Sequence, residues 1–206
     1  MKKLILASLL GGAFVMSAQA AHITELNDGT ALNMQVLNYF GSGPQNLDAN
    51  TVWTSNSTNS VYGYTNGYGF AGNGSWSGAS VTMVGSNSPS AKMTFTFNTP
   101  VMAFGGFMNY ATGSASYGTP VIAAYDANGA LLESYTLNFN TGGGTNTGEF
   151  HGFRQNAAVI KSFTMTGAYI GGANFRVNAV PEAETYAMML AGLAGLGLLA
   201  RRRRQA

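Results

Sequence analysis

Two histidines, His22 and His151, are the side chains of this 206-residue sequence best suited to acid–base catalysis at neutral pH. Glu149 and Arg154 flank His151 and could join it in a polar cluster. A Ser/His/Asp arrangement is compatible with the composition, but no G-x-S-x-G elbow supports it. His22 is expected at a frayed chain start, and His151 lies among strand aromatics, where a structural role is favoured. We predict no catalytic residues and a protein that is not an enzyme.

The carboxylates and the candidate metal ligands also give no sign of a catalytic site. Glycoside hydrolysis needs two carboxylates about 5 to 9.5 Å apart, whereas the acids here are scattered in turn-like contexts. The absence of cysteine excludes thiol catalysis and thiolate metal sites. Asp126, Asn128 and Gly129 resemble the start of an EF-hand, but its other acidic ligands are missing, and Asp28 and Asp48 are isolated. We predict no metal and no cofactor.

Sugar binding is the most specific chemistry that the sequence indicates. Flat aromatic faces can stack on the apolar side of sugar rings, while neighbouring amides and hydroxyls bond to the sugar hydroxyls. The candidate glycan-binding aromatics are Trp53, Tyr62, Tyr64, Tyr68 and Trp76, which occur among Asn56, Asn66 and Asn73. Tyrosine and tryptophan also favour strands, so the alternative is that these rings form the core of a glycine-rich β region.

The elements that would position these groups are strands. Residues 91–97 alternate, with Met93, Phe95 and Phe97 predicted to face inward. Residues 126–129 predict a hairpin turn closed by Asp126, after which Tyr135, Leu137 and Phe139 are also predicted to face inward. Gly105 and Gly106 suggest a bulge or a tight bend. Regular short strands with glycine-rich turns predict an antiparallel β-sandwich of jelly-roll type.

Two segments are interpreted as irregular. Residues 54–89 approach low complexity and predict a long loop or irregular strands over one end of the sandwich. Residues 142–148 lack the lysine and the following helix of a phosphate-binding loop, and predict a flexible hairpin end.

The chain ends carry most of the positive charge. The formal charge is +2, but Lys2, Lys3 and four terminal arginines supply six of the ten basic residues. The part between residues 21 and 179 keeps four basic and six acidic residues, so its net charge is 4 − 6 = −2. This balance gives no nucleic-acid footprint.

The N-terminus predicts a secretory signal peptide over residues 1–20. Lys2 and Lys3 precede an apolar stretch, and Ala18 and Ala20 form an A-x-A cleavage site. The mature chain is therefore expected to start at Ala21, and residues 21–179 to form one domain.

The C-terminus, residues 180–206, predicts a short transmembrane helix. An apolar run over residues 187–200 is followed by the stop-transfer residues Arg201, Arg202, Arg203 and Arg204. Arginine clusters stay on the cytoplasmic side, so the body is expected in the periplasm, held transiently at the inner membrane. At about 1.5 Å per residue the run covers roughly 22 Å, which makes it a marginal anchor.

The tail resembles a known sorting signal. Its sorting motif Val180, Pro181, Glu182 and Ala183, the apolar run and the arginine block together resemble a PEP-CTERM sorting domain, with Ala183 in place of the usual second proline. The resemblance implies a substrate of exosortase, a membrane enzyme of Gram-negative bacteria that also make exopolysaccharide. The tail is then cut near the Pro-Glu motif, and the body is released or attached outside the cell.

Residues 95–177 also resemble the lectin-like sandwich found in many proteins with this tail, through residues 97–107, 125–129, 150–153 and 160–167. In those relatives a stretch near the last strand often carries aspartate, whereas residues 172–175 here carry none. We expect an exported surface or matrix protein associated with exopolysaccharide, as in biofilm or floc formation. A dedicated carbohydrate-binding module is the alternative, and a secreted hydrolase is a third interpretation.

Overall fold

The computed structural model describes residues 21–77, 81–167 and 169–179. The predicted signal peptide with Ala18 and Ala20, the sorting motif at residues 180–183, the transmembrane helix and the arginines 201–204 all lie outside the described residues. Within the described part, no helix is long and apolar enough to cross a bilayer.

Two antiparallel sheets and one small hairpin make up the described residues. The first sheet contains β1 (Ala21–Ile23), β2 (Thr30–Ala31), β3 (Tyr39–Phe40), β6 (Ser60–Tyr64), β9 (Met83–Ser86), β11 (Ala103–Asn109), β14 (Glu149–Arg154) and β16 (Gly171–Asn178). The second contains β4 (Gln45–Asn46), β5 (Thr51–Ser55), β10 (Lys92–Val101), β12 (Val121–Tyr125), β13 (Leu131–Thr136) and β15 (Ile160–Thr166). The hairpin pairs β7 (Tyr68–Gly69) with β8 (Ser75–Trp76), and a 3₁₀ turn spans Ala115–Tyr117.

The strand order could not be derived from the sequence, because most neighbouring strands in both sheets are far apart in the chain. The first sheet runs β1-β14-β11-β16-β9-β6-β3, with β2 also paired to β16. The second runs β13-β12-β15-β10-β5-β4. The expectation of an all-β fold with antiparallel sheets is confirmed.

The core lies between the two sheets and is centred on Phe104 of β11. Its ring centroid lies 5.1 Å from those of Phe95 and Phe163 on the second sheet, and 5.4 Å from that of Phe175 on its own sheet. The predicted inward positions are confirmed, because all six pack in or against this core: Met93, Phe95, Phe97, Tyr135, Leu137 and Phe139. The alternation of apolar and polar residues along β10 and β13 therefore distinguishes the face that packs on the core from the opposite face.

The prediction for residues 54–89 was a long loop or irregular strands, and the structure shows strands. The segment supplies β6 and β9 to the first sheet, and it folds the β7–β8 hairpin over the outer face of that sheet. Glycines allow this close packing. A Cβ on Gly85 would lie 3.2 Å from the ring of Tyr68, and one on Gly171 would lie 2.8 Å from the ring of Phe70. Both faces of β6 are consequently buried, which removes the alternation that usually marks a strand.

The predicted turn at Asp126 and the predicted bulge are confirmed. Asp126 Oδ1 accepts hydrogen bonds from the backbone N–H groups of Asn128 and Ala130, both at 2.8 Å. Gly129 has φ +78°, which glycine adopts without strain. The pairing of β11 with β16 shifts register between Gly105 and Phe107.

Residues 142–148 are not a free hairpin end. Their anchor is a buried asparagine network, in which Asn109 Nδ2 donates to Asn73 O at 3.1 Å and to Asn146 Oδ1 at 3.0 Å. Asn146 Nδ2 also donates to Asn73 O at 2.8 Å. Backbone bonds between Ser75 and this loop add to the anchor. The network fastens the loop and the β7–β8 hairpin to the end of β11.

Both ends of the described chain leave the first sheet at the same place. Ala21 pairs with Arg154, which pairs with Ala103, which pairs with Asn178. These four residues form one row across β1, β14, β11 and β16. At about 4.8 Å per strand the two ends lie roughly 14 Å apart.

Candidate functional site

Four of the five candidate glycan-binding aromatics are buried. Trp53 and Tyr62 belong to the core between the sheets, with ring centroids 5.3 Å apart. Tyr68 and Trp76 belong to the cluster under the β7–β8 hairpin. Their faces contact other side chains and not solvent, so the alternative of a structural role describes these four rings. Tyr64 is half-buried and keeps an accessible side.

The hydroxyls of the buried tyrosines have structural partners. Tyr62 Oη donates to Asn46 O at 2.9 Å, and burial raises the pKa of Tyr62 to about 12. Tyr68 Oη lies 2.8 Å from Ser86 O and 2.7 Å from Asn87 Oδ1. Burial likewise raises the pKa of Tyr68. Both hydroxyls therefore stay protonated and hold loops in place.

An aromatic surface that is open to solvent shares Tyr64 and the edge of Tyr68 with the candidate glycan-binding aromatics. It forms a groove of about 320 Å³ lined by Phe40, Val61, Tyr64, Tyr68, Asn87 and Tyr169 together with Gly67 and Gly69. A second depression of about 150 Å³ continues past Tyr169 to Tyr117, Ala71 and Ala111. We call the two together the aromatic groove. Sequence reasoning found only Tyr64 and Tyr68 of its aromatic residues.

Backbone contacts hold the exposed rings in position. The N–H groups of Leu37 and Asn38 donate to Gly63 O at 3.0 and 2.9 Å, which fastens the segment before β3 to β6. Phe40 then packs edge-on against Tyr64, with centroids 5.5 Å apart. Phe40 is nevertheless 57% exposed, although it follows the same strand pattern as buried aromatics.

Tyr169 occupies an unusual backbone conformation. Its φ is +52°, in the left-handed region that costs a side-chain-bearing residue about 1 kcal/mol or more. Its ring packs edge-on against Tyr117, with centroids 5.2 Å apart. The ring of Tyr169 therefore stands between the two halves of the aromatic groove.

The two histidines meet, although they are far apart in the sequence. His22 Nε2 lies 3.0 Å from His151 Nδ1. The ring of His22 stacks on Tyr135 at 3.7 Å between centroids, and His151 stacks on Phe139 at 5.2 Å. We call these four residues the histidine stack. The expectation that His22 lies at a frayed start is wrong, because β1 pairs with β14 and brings His22 to the sandwich edge.

Burial keeps the histidine pair uncharged. It lowers the pKa of His151 to about 4, with a further contribution from the charge of His22. Burial also lowers the pKa of His22, against an opposing effect of Glu133. When His22 Nε2–H donates to His151 Nδ1, the Nε2–H of His151 faces the Glu149 carboxylate at 3.7 Å. Two neutral, stacked imidazoles hydrogen-bonded to each other fit a structural role.

The acidic side chains considered as metal ligands have other partners. Asp48 Oδ1 accepts from the N–H groups of Asn50 and Thr51, and Asp126 closes its hairpin turn. Asp28 pairs with Arg154, and this hydrogen bond lowers the pKa of the Asp28 carboxyl. Across residues 21–77, 81–167 and 169–179, no three His, Cys, Asp or Glu side chains group as metal ligands would.

Two further concavities follow the N-terminal segment. They have volumes of about 460 and 510 Å³ and share residues 24–27 as a wall. Arg176 lines the first, and its Nη2 donates to the carbonyls of Gly29 and Asn27. Arg154 lines the second and pairs with Asp28. Both guanidinium groups thus hold the N-terminal segment against the first sheet.

The comparison with protein families concerns the C-terminal tail. Residues 179–204 match the model of the PEP-CTERM protein-sorting motif. This chain carries a PEP-CTERM protein-sorting motif. The match includes the predicted motif residues Pro181 and Glu182 and the four arginines, and the β-rich body is consistent with the resemblance stated from the sequence. No curated protein matches the chain.

The PEP-CTERM motif defines how the chain is handled. It marks an exported protein that begins as a membrane-anchored precursor and is targeted to exosortase. The matched region starts at Ala179, directly after β16 ends at Asn178.

Proposed function

We propose that this protein is an exported component of the extracellular matrix whose finished form is the β-sandwich body alone. In this proposal a signal peptidase removes residues 1–20, and exosortase cuts near Pro181 and Glu182. The body is then released or attached outside the cell, where it associates with exopolysaccharide in biofilm or floc formation.

One observation carries the proposal, namely where the sorting motif begins. The last strand ends at Asn178, and the motif begins at Ala179. A cut near Pro181 therefore removes no strand. At the other end, β1 begins at Ala21, the residue expected after signal cleavage. Neither predicted cut removes a paired residue, so both leave the two sheets complete.

The composition of the body supports work outside the cell. Charged residues make up only 9% of the chain, so hydroxyl and amide side chains must supply most of its polar surface. The core holds the fold without disulfides, since the sequence has no cysteine. Such a surface suits a hydrated, polysaccharide-rich matrix, where hydrogen bonds to sugar hydroxyls replace those to water.

A carbohydrate-binding, lectin-like module of jelly-roll type is the second candidate function. The observation that favours it is the aromatic groove, where rings and an amide are exposed together. His151 is 4% exposed and its Nδ1 contacts His22. Both features argue against the third interpretation, a hydrolase that uses His151 as a base, because a base must reach its substrate. We therefore propose a non-enzymatic role.

Fractionation of the producing bacterium tests the proposal. We expect the body outside the cell in the parent strain, and full-length protein in the inner membrane when exosortase is deleted. A chain with both Pro181→Ala and Glu182→Ala should accumulate in the membrane as well. Glu25→Ala, an exposed acid of the body, is the matched control and should be exported normally. An unchanged distribution without exosortase would contradict the proposal.

A further inference from the structure

We propose that the aromatic groove binds the sugar rings of an uncharged polysaccharide. This proposal deepens the proposed function and rests on it for the setting in which the body meets polysaccharide. Of the residues considered from sequence, Tyr64 remains in this site. The fold brings it together with residues from four other segments, namely Phe40, Asn87, Tyr117 and Tyr169.

The groove offers apolar ring surface to solvent and contains Phe40, the one exposed aromatic side chain among the described residues. Phe40 is 57% exposed, and Tyr64, Tyr117 and Tyr169 are half-buried. Four large hydrophobic residues among the described ones are exposed, and two of them lie here. Phe40 lines the groove, and the N–H of Leu37 donates to Gly63 O beside Tyr64. Exposed apolar surface concentrated at one place marks a binding site more often than scattered residues do.

Polar groups stand beside the rings, as sugar recognition requires. The Asn87 side chain lines the groove, and its Oδ1 is oriented by the hydroxyl of Tyr68 at 2.7 Å. The hydroxyls of Tyr64 and Tyr169 have no hydrogen-bond partner within the described residues, and each is free to bond to a sugar hydroxyl. Aromatic faces with a few fixed polar groups are the usual lining of small-molecule sites.

The backbone at Tyr169 indicates that the position of its ring matters. A glycine would adopt φ +52° at no steric cost, yet a tyrosine occupies the position. Strain of this kind is concentrated at binding and active sites in proteins generally. The ring divides the two depressions, so it can contact successive sugar units of one chain.

The lack of charged residues in the groove indicates which class of polysaccharide it binds. None of the residues that line the two depressions is charged. An anionic chain would place carboxylates or sulfates where no described cation compensates them, which is unfavourable for a partly desolvated group. A neutral polysaccharide has no charged group to desolvate in the groove, so we propose uncharged glycans as the ligand.

The groove lies at the end of the first sheet away from both chain termini. Tyr169 precedes β16 and Asn178 ends it, and Gly171 pairs with Asn109 and Gly85 in the row opposite to that of Ala21. Eight residues at about 3.3 Å each place the groove roughly 25 Å from the start of the tail. The groove is therefore well separated from the point where the sorting motif begins.

Affinity electrophoresis of the full chain, purified in detergent without exosortase, tests the proposal. The probes are hydroxyethyl cellulose, dextran and galactomannan as neutral polysaccharides, and alginate as an anionic one. We expect retardation by at least one neutral probe. Truncating the ring pair in a Phe40→Ala/Tyr64→Ala variant should weaken that affinity at least about tenfold, the effect of losing a central aromatic contact.

Two single variants sharpen the result. Tyr169→Asn removes the ring but keeps a residue that tolerates positive φ, and it should also weaken binding. Leu131→Ala removes an equally exposed apolar side chain, 57% accessible, on the second sheet. It should bind as the parent does. Melting temperatures of all variants confirm that loss of binding is not loss of folding.

Three outcomes of the binding experiment would overturn the proposal, and a fourth would come from sedimentation. They are no retardation by any neutral probe, equal retardation of the parent and the ring variants, and retardation by alginate alone. Dimers that sedimentation detects in the parent but not in Phe40→Ala/Tyr64→Ala would assign the groove to a second copy instead. If binding fails while exosortase still processes the chain, the groove proposal alone is wrong. If processing fails while binding persists, only the proposed function is wrong.

Discussion

Asn109→Ala is expected to lower the free energy of unfolding by about 2 to 3 kcal/mol. The substitution removes both hydrogen bonds of the fully buried Asn109 amide, to Asn73 and Asn146. It also leaves the buried N–H of Tyr110 without the acceptor that Asn109 Oδ1 provides at 2.9 Å. For a body of this size the melting temperature should fall by roughly 5 to 10 °C.

Tryptophan fluorescence and hydrogen exchange can locate the effect. The two tryptophans report different places, since Trp53 lies in the core and Trp76 lies under the β7–β8 hairpin. We expect the environment of Trp76 and the amides of residues 139–148 to loosen first. Asn138→Ala is the matched control, because Asn138 is exposed, and it should change stability by less than about 0.5 kcal/mol. Equal effects of the two variants would show that the network does not anchor the loop.

Acidification is expected to destabilise the body through the histidine stack. The folded pKa of His151 is about 4 and that of His22 is also lowered, against about 6.5 in the unfolded chain. The unfolded chain therefore binds protons first as the pH falls. The stabilising contribution is complete above about pH 6.5 and is lost progressively towards pH 4. We expect a loss of about 2 kcal/mol across this window.

A variant without titratable rings isolates this effect. The chain has two histidines, so His22→Phe/His151→Phe removes both while keeping aromatic surface in the stack. Melting temperatures measured from pH 7 to pH 4.5 should fall by roughly 5 °C in the parent and clearly less in the variant. Glu133 and Glu149 are unchanged in both proteins. Parallel pH profiles would show that the stack does not control acid stability.

Strands with two different faces could be predicted from the sequence. The alternation of β10 and β13 distinguishes core from solvent, and Asp126 with Gly129 specifies a turn through local hydrogen bonds. Such signals depend on residues close together in the chain, so one sequence is sufficient to find them.

The parts that were missed depend on distant contacts. Tyr62 packs in the core between the sheets and Tyr68 packs in the cluster of the β7–β8 hairpin, whereas Phe40 is exposed. His22 meets a partner 129 residues away, which no local pattern indicates. The choice of aromatic residues for a binding site thus requires the strand order, and only the structure supplies it.

The tail was the most predictable part of the chain. Its motif, apolar run and arginine cluster follow each other in a fixed order, which a single sequence displays in full. The match over residues 179–204 confirms the sorting signal. The structure adds the position of the motif directly after the last strand, which makes removal of the tail compatible with a folded body.

Intact mass measurement of the protein outside the cell, with and without exosortase, tests the central claim most directly. We predict a chain that begins at Ala21 and ends near Pro181 or Glu182, carrying any group that transfer has attached. Without exosortase the protein should retain all four arginines and remain in the membrane. A soluble extracellular chain that still contains residues 183–206 would contradict the account.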